Sequence, residues 1–394
     1  MTPFGQHPAD LLIHAHLGKL EARLRRRLGG DRCAWNRQVE VTPIFAADGE
    51  SALPRGTARG DGTLALRADV LDRLRDLWAR PGATRTEQQQ RLQQRAHSTL
   101  RHELDHFIHP EGERYRDGLV EYRRWTTRAF EEGETECVAQ NHADIDAAEM
   151  ETLSPGMTSV RFSTSYQQFT PAVRTLADYT GGLLGRRQAE IIDELGREAI
   201  QGKYTRFARL VLEGRGLWQR IPEDERVDCQ MQVAQEVRNV FWRNSDWAKP
   251  DAEGQLGTTD PAARSYVMGL QAAAAAERAR LEVEHRYGTP RQEGVSWELA
   301  AATHEHDLAR EALRFAQRRP AADVRRAAAE WVDRAAHGRD AAQRWESRQP
   351  ILEPRPARRN DPEPGSAPAD RQSRVANIRR RLPHRARPDM GRAR

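Results

Sequence analysis

The sequence predicts an α+β fold in which a small sheet comes first and helices make up most of the remaining chain. Residues 38–46 alternate polar and apolar side chains like a half-buried strand, and residues 62–82 read as a short strand passing into a helix. From about residue 85 to residue 346, apolar residues recur mostly at helical spacing. We therefore expect a small sheet, a central helix beside it, a mostly helical second lobe, a helical C-terminal extension and a disordered tail.

The composition indicates that only part of the chain forms a hydrophobic core and that the C-terminal end is a basic tail. Of the 394 residues, 38% are hydrophobic and 31% are charged, so part of the chain is expected to be solvated helix or tail. Residues 351–394 contain 12 arginines and 5 acidic residues. The whole chain has 60 arginines and three lysines, a bias that we attribute to a GC-rich genome, so arginine content is not taken as a sign of phosphate binding. No specific nucleic-acid partner is expected.

The N-terminal sequence carries no pattern of a cleavable export signal. It lacks a basic start followed by an apolar core, and no run of about 18 apolar residues occurs in the chain. The three cysteines, Cys33, Cys137 and Cys229, are far apart and odd in number, which argues against a disulfide framework. We expect a soluble protein without a membrane span, located in the cytoplasm or exported by a leaderless route.

Glycine and proline mark the predicted helix ends. An amphipathic helix over residues 8–28 ends at Gly29, and a helix over residues 85–109 ends before Pro110. A second long helix is predicted over residues 117–149. Residues 159–169 are predicted to be extended. Thr170 and Pro171 then provide an N-cap followed by proline, and helices are expected to continue to about residue 244.

The stretch STLRHELDHFIHPEG (98–112) carries a pattern with chemical meaning. On a helix, His102 and His106 are one turn apart on the same face, so both imidazoles can bind the same metal ion. Each metal–nitrogen distance would be about 2 Å. Glu103 lies about 100° round the helix from His102, next to such a metal without being forced to bind it. This is the position of a general base.

A catalytic zinc ion needs a third protein ligand and an open position for water. The next predicted helix offers Glu132 and Glu136 on one apolar stripe, where two carboxylates need a cation. Glu131 lies instead on a stripe with Arg124 and Arg128, where a solvent-exposed ion pair satisfies it. Glu132 and Glu136 are therefore the first candidates.

HELDH, followed 26 residues after His106 by Glu132 in EEGETE, resembles the gluzincin clan of zinc metallopeptidases. The resemblance covers residues 37–150 and implies a zincin-like core. It implies that His102, His106 and Glu132 bind Zn²⁺, that Glu103 is the general base and that Glu136 orients a ligand histidine. Glu136, Glu131, Glu134 and His109 remain alternatives for the third ligand.

The predicted divisions are an N-terminal helical cap (1–36), a zincin catalytic subdomain (37–150), a helical subdomain (151–245), a linker (246–265), a helical extension (266–346) and a basic disordered tail (347–394). Two other protein families share part of the HELDH pattern. An HExDH string is also typical of peptide deformylases, but Cys33 in GDRCAW does not match the cysteine segment of those enzymes. His109, three residues after His106, is similar to strings in phage-repressor-cleaving metallopeptidases.

The expected activity is zinc-dependent hydrolysis of peptide bonds in a protein or peptide substrate. Glu103 would take a proton from the metal-activated water and deliver it to the leaving amine. Tyr166 is the first candidate to donate a hydrogen bond to the oxyanion, with Tyr122 and His142 behind it. The strand GTLALRADV (62–70) is expected to pair with the substrate as an edge strand.

Two other functions fit the sequence. One is a non-catalytic, metal-stabilised interaction protein that acts through its basic C-terminal region. The other is a toxin-like or mobile-element peptidase with one dedicated protein substrate.

Overall fold

Helices dominate the residues that the computed structural model describes, which are 3–29, 32–44, 55–109, 115–159, 166–249, 256–288 and 295–348. The described chain is α+β, as predicted. The predicted basic tail lies outside the described residues from 349 onward, and so does most of the predicted extended segment, residues 160–165. None of the described helices is long and apolar enough to cross a membrane.

Five short strands form two small sheets in the described chain. They are β1 (Arg32–Cys33), β2 (Val39–Thr42), β3 (Gly56–Ala58), β4 (Leu64–Arg67) and β5 (Ile108–His109). β1 and β5 pair antiparallel. In the other sheet the order is β2-β4-β3, with β2 parallel and β3 antiparallel to β4.

The prediction that residues 62–70 form an edge strand is wrong. β4 is the central strand, and Leu64, Ala65 and Leu66 are all buried because both faces of this strand are covered. The edge strand is β3, which sequence analysis missed because three residues of Gly-Thr-Ala carry no readable alternation. This edge lies against the helix that carries the HELDH motif.

The helices of the first half surround that motif. They are α1 (Pro8–Leu28), α2 (Ala68–Ala79), α3 (Glu87–Asp105), α4 (Tyr115–Tyr122), α5 (Trp125–Asn141) and α6 (Ala147–Leu153). α1 matches the predicted helix 8–28 and ends at Gly29. α3 begins at a capping box formed by Thr86 and Gln89, and it ends at His106, earlier than predicted, because the next residues enter β5.

The predicted helix 117–149 is broken, and the break positions a tyrosine. Arg124 has extended backbone angles (φ −74°, ψ 123°) between α4 and α5. Tyr122 and Glu132 are 10 residues apart, which would be about 15 Å on a straight helix, yet the Tyr122 hydroxyl donates a hydrogen bond to Glu132. The break therefore folds α4 back over α5.

The remaining helices form the larger lobe. They are α7 (Thr170–Leu184), α8 (Gln188–Gly196), α9 (Lys203–Glu213), α10 (Leu217–Arg220), α11 (Arg226–Arg243), α12 (Ser245–Ala248), α13 (Pro261–Tyr287), α14 (Trp297–Gln317) and α15 (Ala322–Glu346). α13 begins inside the predicted linker 246–265, because the Asp260 side chain accepts from Ala263 N and Pro261 occupies the first helical turn. Met268, Ala272 and Ala276 of α13 lie in the main core, and the other face of α13 packs with α14 and α15.

Candidate metal centre

Three side-chain atoms of the HELDH motif and α5 converge on one point. His102 Nε2 lies 3.0 Å from Glu132 Oε2 and 3.2 Å from His106 Nε2, and His106 Nε2 lies 3.5 Å from Glu132 Oε2. Two metal–ligand bonds of about 2.0–2.1 Å at a tetrahedral angle place the ligand atoms about 3.3 Å apart. The three atoms therefore have the spacing of three corners of a tetrahedral metal site.

Carboxylates orient both imidazoles so that the Nε2 atoms face this point. His102 Nδ1 lies 3.2 Å from Glu136 Oε2, and the other oxygen of Glu136 accepts a hydrogen bond from Gln140 Nε2 at 2.7 Å. His106 Nδ1 lies 3.2 Å from Glu131 Oε1. A carboxylate beside Nδ1 favours the tautomer with the hydrogen on Nδ1, which leaves the Nε2 lone pair for a metal.

The prediction that Glu131 pairs in solvent with Arg124 and Arg128 is wrong. Glu131 is buried, and its Oε2 lies 2.7 Å from Lys203 Nζ at the start of α9. The same ammonium also forms an ion pair with Glu134. Sequence analysis missed Lys203 because it is about 70 residues from these partners in the sequence. It is one of only three lysines in this arginine-rich chain.

A glycine lets α5 approach α7 closely behind Glu132. A Cβ added to Gly133 would lie 2.8 Å from Val173 Cγ2 and 3.0 Å from Phe169 Cβ. Any side chain here would push the helices apart. Gly133 thus allows α5, which carries Glu132, to pack closely against α7.

The centre has more buried acid than base. In the described chain, six acidic side chains are buried on α3 and α5 around the convergence point: Glu103, Asp105, Glu131, Glu132, Glu134 and Glu136. Lys203 and Arg101 are the buried permanent cations beside them, and Arg101 also pairs with Asp146 at 3.1 Å. Each uncompensated buried charge costs several kcal/mol, of order 5 kcal/mol. Without a metal, protons on His102 and His106, whose pKa values are both raised, offset part of this imbalance, and a bound divalent cation would take their place.

We expect divalent metal binding at this centre to weaken as the pH falls. Burial alone would lower the pKa of His106, but hydrogen bonds to Glu131 and Glu132 raise it to about 10, and the pKa of His102 is raised in the same way. A metal binds only the deprotonated nitrogen, so binding near neutral pH should release roughly one to two protons per ion. Calorimetric titration with Zn²⁺ in two buffers of different ionisation enthalpy measures this number. Equal enthalpies in both buffers would contradict the expectation.

Glu103 lies next to the three converging atoms and is held by the sheet edge. Its Oε2 accepts a hydrogen bond from Ala58 N in β3 at 2.9 Å, and burial raises its pKa. A Cβ added to Gly56 would lie 2.5 Å from Glu103 Cγ, so only glycine allows β3 to come this close. Glu103, His106 and Glu132 line a cleft of about 420 Å³ whose other wall includes β3.

Two tyrosines line the same cleft. The Tyr166 ring stacks on His102, with ring centroids 4.9 Å apart and an interplanar angle of 11°, and Tyr122 donates to Glu132. Tyr166 has a positive φ of 52° at the start of the turn that leads into α7. The third predicted donor, His142, is buried elsewhere and lies 2.8 Å from Asp193. The side chain of His109 lies outside the described structure.

A second group, formed by His16, His97 and Asp146, has a different character. Arg101 Nη1 lies 3.0 Å from His97 Nδ1, and an arginine can only donate, so the hydrogen of a neutral His97 is on Nε2. That hydrogen points to His16 Nε2 at 2.8 Å, and His16 Nδ1 lies 3.2 Å from Glu149. His97 is thus hydrogen-bonded through both ring nitrogens, to Arg101 and to His16, and it would have to turn this hydrogen away to bind a metal.

Among the described residues, the structure thus brings together His102, Glu103, His106, Glu132, Glu136 and Tyr166, the six site residues that the sequence predicts. Glu131 and Tyr122, which the sequence offers as alternatives, also lie at this site, and the structure adds Lys203 and the β3 edge. Comparison of the chain with protein-family models, curated proteins and solved structures finds no match.

Proposed function

We propose that this protein is a zinc-dependent metallopeptidase of gluzincin type. The observation that supports it best is the convergence of His102 Nε2, His106 Nε2 and Glu132 Oε2 at tetrahedral spacing beside an open cleft. Two imidazoles and one carboxylate are the donor set of catalytic zinc sites that keep a position open. The resemblance of HELDH and EEGETE to gluzincins points to the same ion.

Glu103 is the proposed general base. A zinc ion held by the three ligands would polarise a substrate carbonyl and lower the pKa of a water molecule in the cleft. Glu103 lines the same cleft as His106 and Glu132, where it would accept the proton of that water and return it to the leaving amine. Its buried setting raises its pKa, which suits a group that must both take up and release a proton.

The tyrosines and the sheet edge complete the proposed site. Tyr122 or Tyr166 would donate a hydrogen bond to the oxyanion that forms when water attacks the carbonyl. β3 is an edge strand on the cleft wall, so an extended peptide can lie alongside it. Glu131 and Glu136 would hold the ligand imidazoles, while Lys203 holds Glu131.

The test is metal-dependent cleavage of a broad peptide mixture. The protein is stripped with a chelator, divided, and reconstituted with Zn²⁺ in one half, and new peptide termini are counted by mass spectrometry. We expect cleavage only in the reconstituted half. Cleavage of one added protein but not of the mixture would favour the dedicated-substrate peptidase, and zinc uptake without any cleavage would favour the metal-stabilised interaction protein.

A further inference from the structure

One face of α5 lines the cleft and carries three functional side chains. Trp125, Arg128 and Glu132 are spaced by three and four residues, so they lie on the same face of the helix, and all three line the cleft. One turn separates Arg128 from Glu132, a rise of about 6 Å along the axis. Arg128 therefore stands close to the metal centre but outside it.

Arg128 is a cation without an acidic partner among the described residues. It is the only lysine or arginine that lines the described cleft, and its side chain is exposed. Arg124, one turn earlier on the chain, instead pairs with Glu121 at 2.9 Å. In the described chain no carboxylate lies within ion-pair distance of Arg128, so its guanidinium donors are available to a ligand.

An aromatic ring holds this guanidinium in place. The Arg128 Cζ atom lies 5.1 Å from the centre of the Trp125 ring, and that ring packs edge-on against Phe169 at 5.3 Å. Lys249 Nζ lies 5.3 Å from the same tryptophan ring and adds a second positive charge. A guanidinium that is fixed over a ring and has free donors is preorganised for a carboxylate, which it can bind through two parallel hydrogen bonds.

We propose that the cleft selects peptide substrates by a carboxylate that binds Arg128. This inference rests on the proposed peptidase function and adds its substrate class. An extended peptide advances about 3.3 Å per residue, so the carboxylate belongs within roughly three residues of the cleaved bond. It can be an aspartate or glutamate side chain or the free C-terminus, since both present the same group to Arg128.

The test compares matched peptides on the zinc-loaded enzyme. Each peptide is N-acetylated and C-terminally amidated and carries glutamate or glutamine at one position, which is scanned along the sequence on both sides of the cleaved bond. Arg128→Gln should lower kcat/KM for the preferred glutamate peptide by about 10- to 100-fold, because that is the typical contribution of a charged hydrogen-bonded pair. The kcat/KM for the matched glutamine peptide should stay within about twofold of the wild-type value. Arg128→Glu should reverse the preference. A free-acid version of the glutamine peptide separates a C-terminal carboxylate from a side chain.

Arg124→Gln is the control, because Arg124 is on the same helix and outside the cleft lining. The proposal is overturned if wild type cleaves all glutamate, glutamine and free-acid peptides equally, a result that leaves the peptidase function intact. It is also overturned if Arg124→Gln causes the same loss as Arg128→Gln.

A binding measurement covers the case in which no peptide is cleaved. Fluorescently labelled peptides of the glutamate and glutamine sets are titrated into zinc-loaded Glu103→Gln protein, with and without Arg128→Gln. Tighter binding of carboxylate peptides that depends on Arg128 supports the proposal even if the peptidase function fails. Equal binding by both proteins overturns it.

Discussion

Replacing Glu103 by glutamine should abolish peptide hydrolysis while leaving zinc in place. Glutamine has the same shape and can still accept the hydrogen bond from Ala58 N, so β3 and α3 should keep their contact. It cannot accept the proton of the attacking water. Loss of a general base typically costs about 10²- to 10⁴-fold in rate, and we expect kcat to fall by at least the lower figure.

Zinc content and kcat must both be measured on the same protein sample. Zinc per chain is determined by elemental analysis, and kcat is determined on the peptide that wild type cleaves best. Glu87→Gln is a matched control, since Glu87 begins the same helix and is exposed. Wild-type turnover by Glu103→Gln would remove Glu103 from the mechanism, and loss of zinc from this variant would make it a ligand.

Replacing His102 and His106 together by alanine should remove the metal site itself. We expect about one zinc ion per chain in wild type and less than about 0.1 in the double variant, since a single remaining carboxylate ligand cannot form a catalytic zinc site. Hydrolysis should disappear with the metal. Both proteins are purified without metal-affinity tags, and zinc is measured after reconstitution and dialysis.

A folding control accompanies the double variant. The substitutions leave Glu131 and Glu136 without their imidazole partners, so some loss of thermal stability is expected. His337→Ala is the matched control because that histidine is exposed on α15. Equal, negligible zinc in wild type and double variant would refute the peptidase proposal and direct attention to the basic C-terminal region.

The parts of the site that could be predicted from sequence are those set by helical spacing. His102 and His106 face one point because both lie within or at the end of α3, and Glu132 meets them because α5 is buried against α3. Glu103 follows from the same geometry. These relations follow from the 3.6-residue period of each helix.

The parts that could not be predicted depend on contacts between distant segments. Helix spacing places Glu131 on a stripe with arginines and predicts that it is exposed, whereas α9 brings Lys203 against it. The break at Arg124 has no glycine or proline to announce it. β3 is too short to show a period, yet its Gly56 allows the edge to touch Glu103.

The burial of Lys203 determines which pieces of this chain can stand alone. A fragment of residues 37–150 would contain both histidines and every carboxylate of the metal centre. It would nevertheless lack the ammonium that neutralises Glu131 and Glu134, two groups that lie in the interior of the intact protein. α3 and α5 are therefore not a portable module, and a gene fragment or fusion that carries the HELDH motif needs the chain through α9 to keep His106 in its orientation.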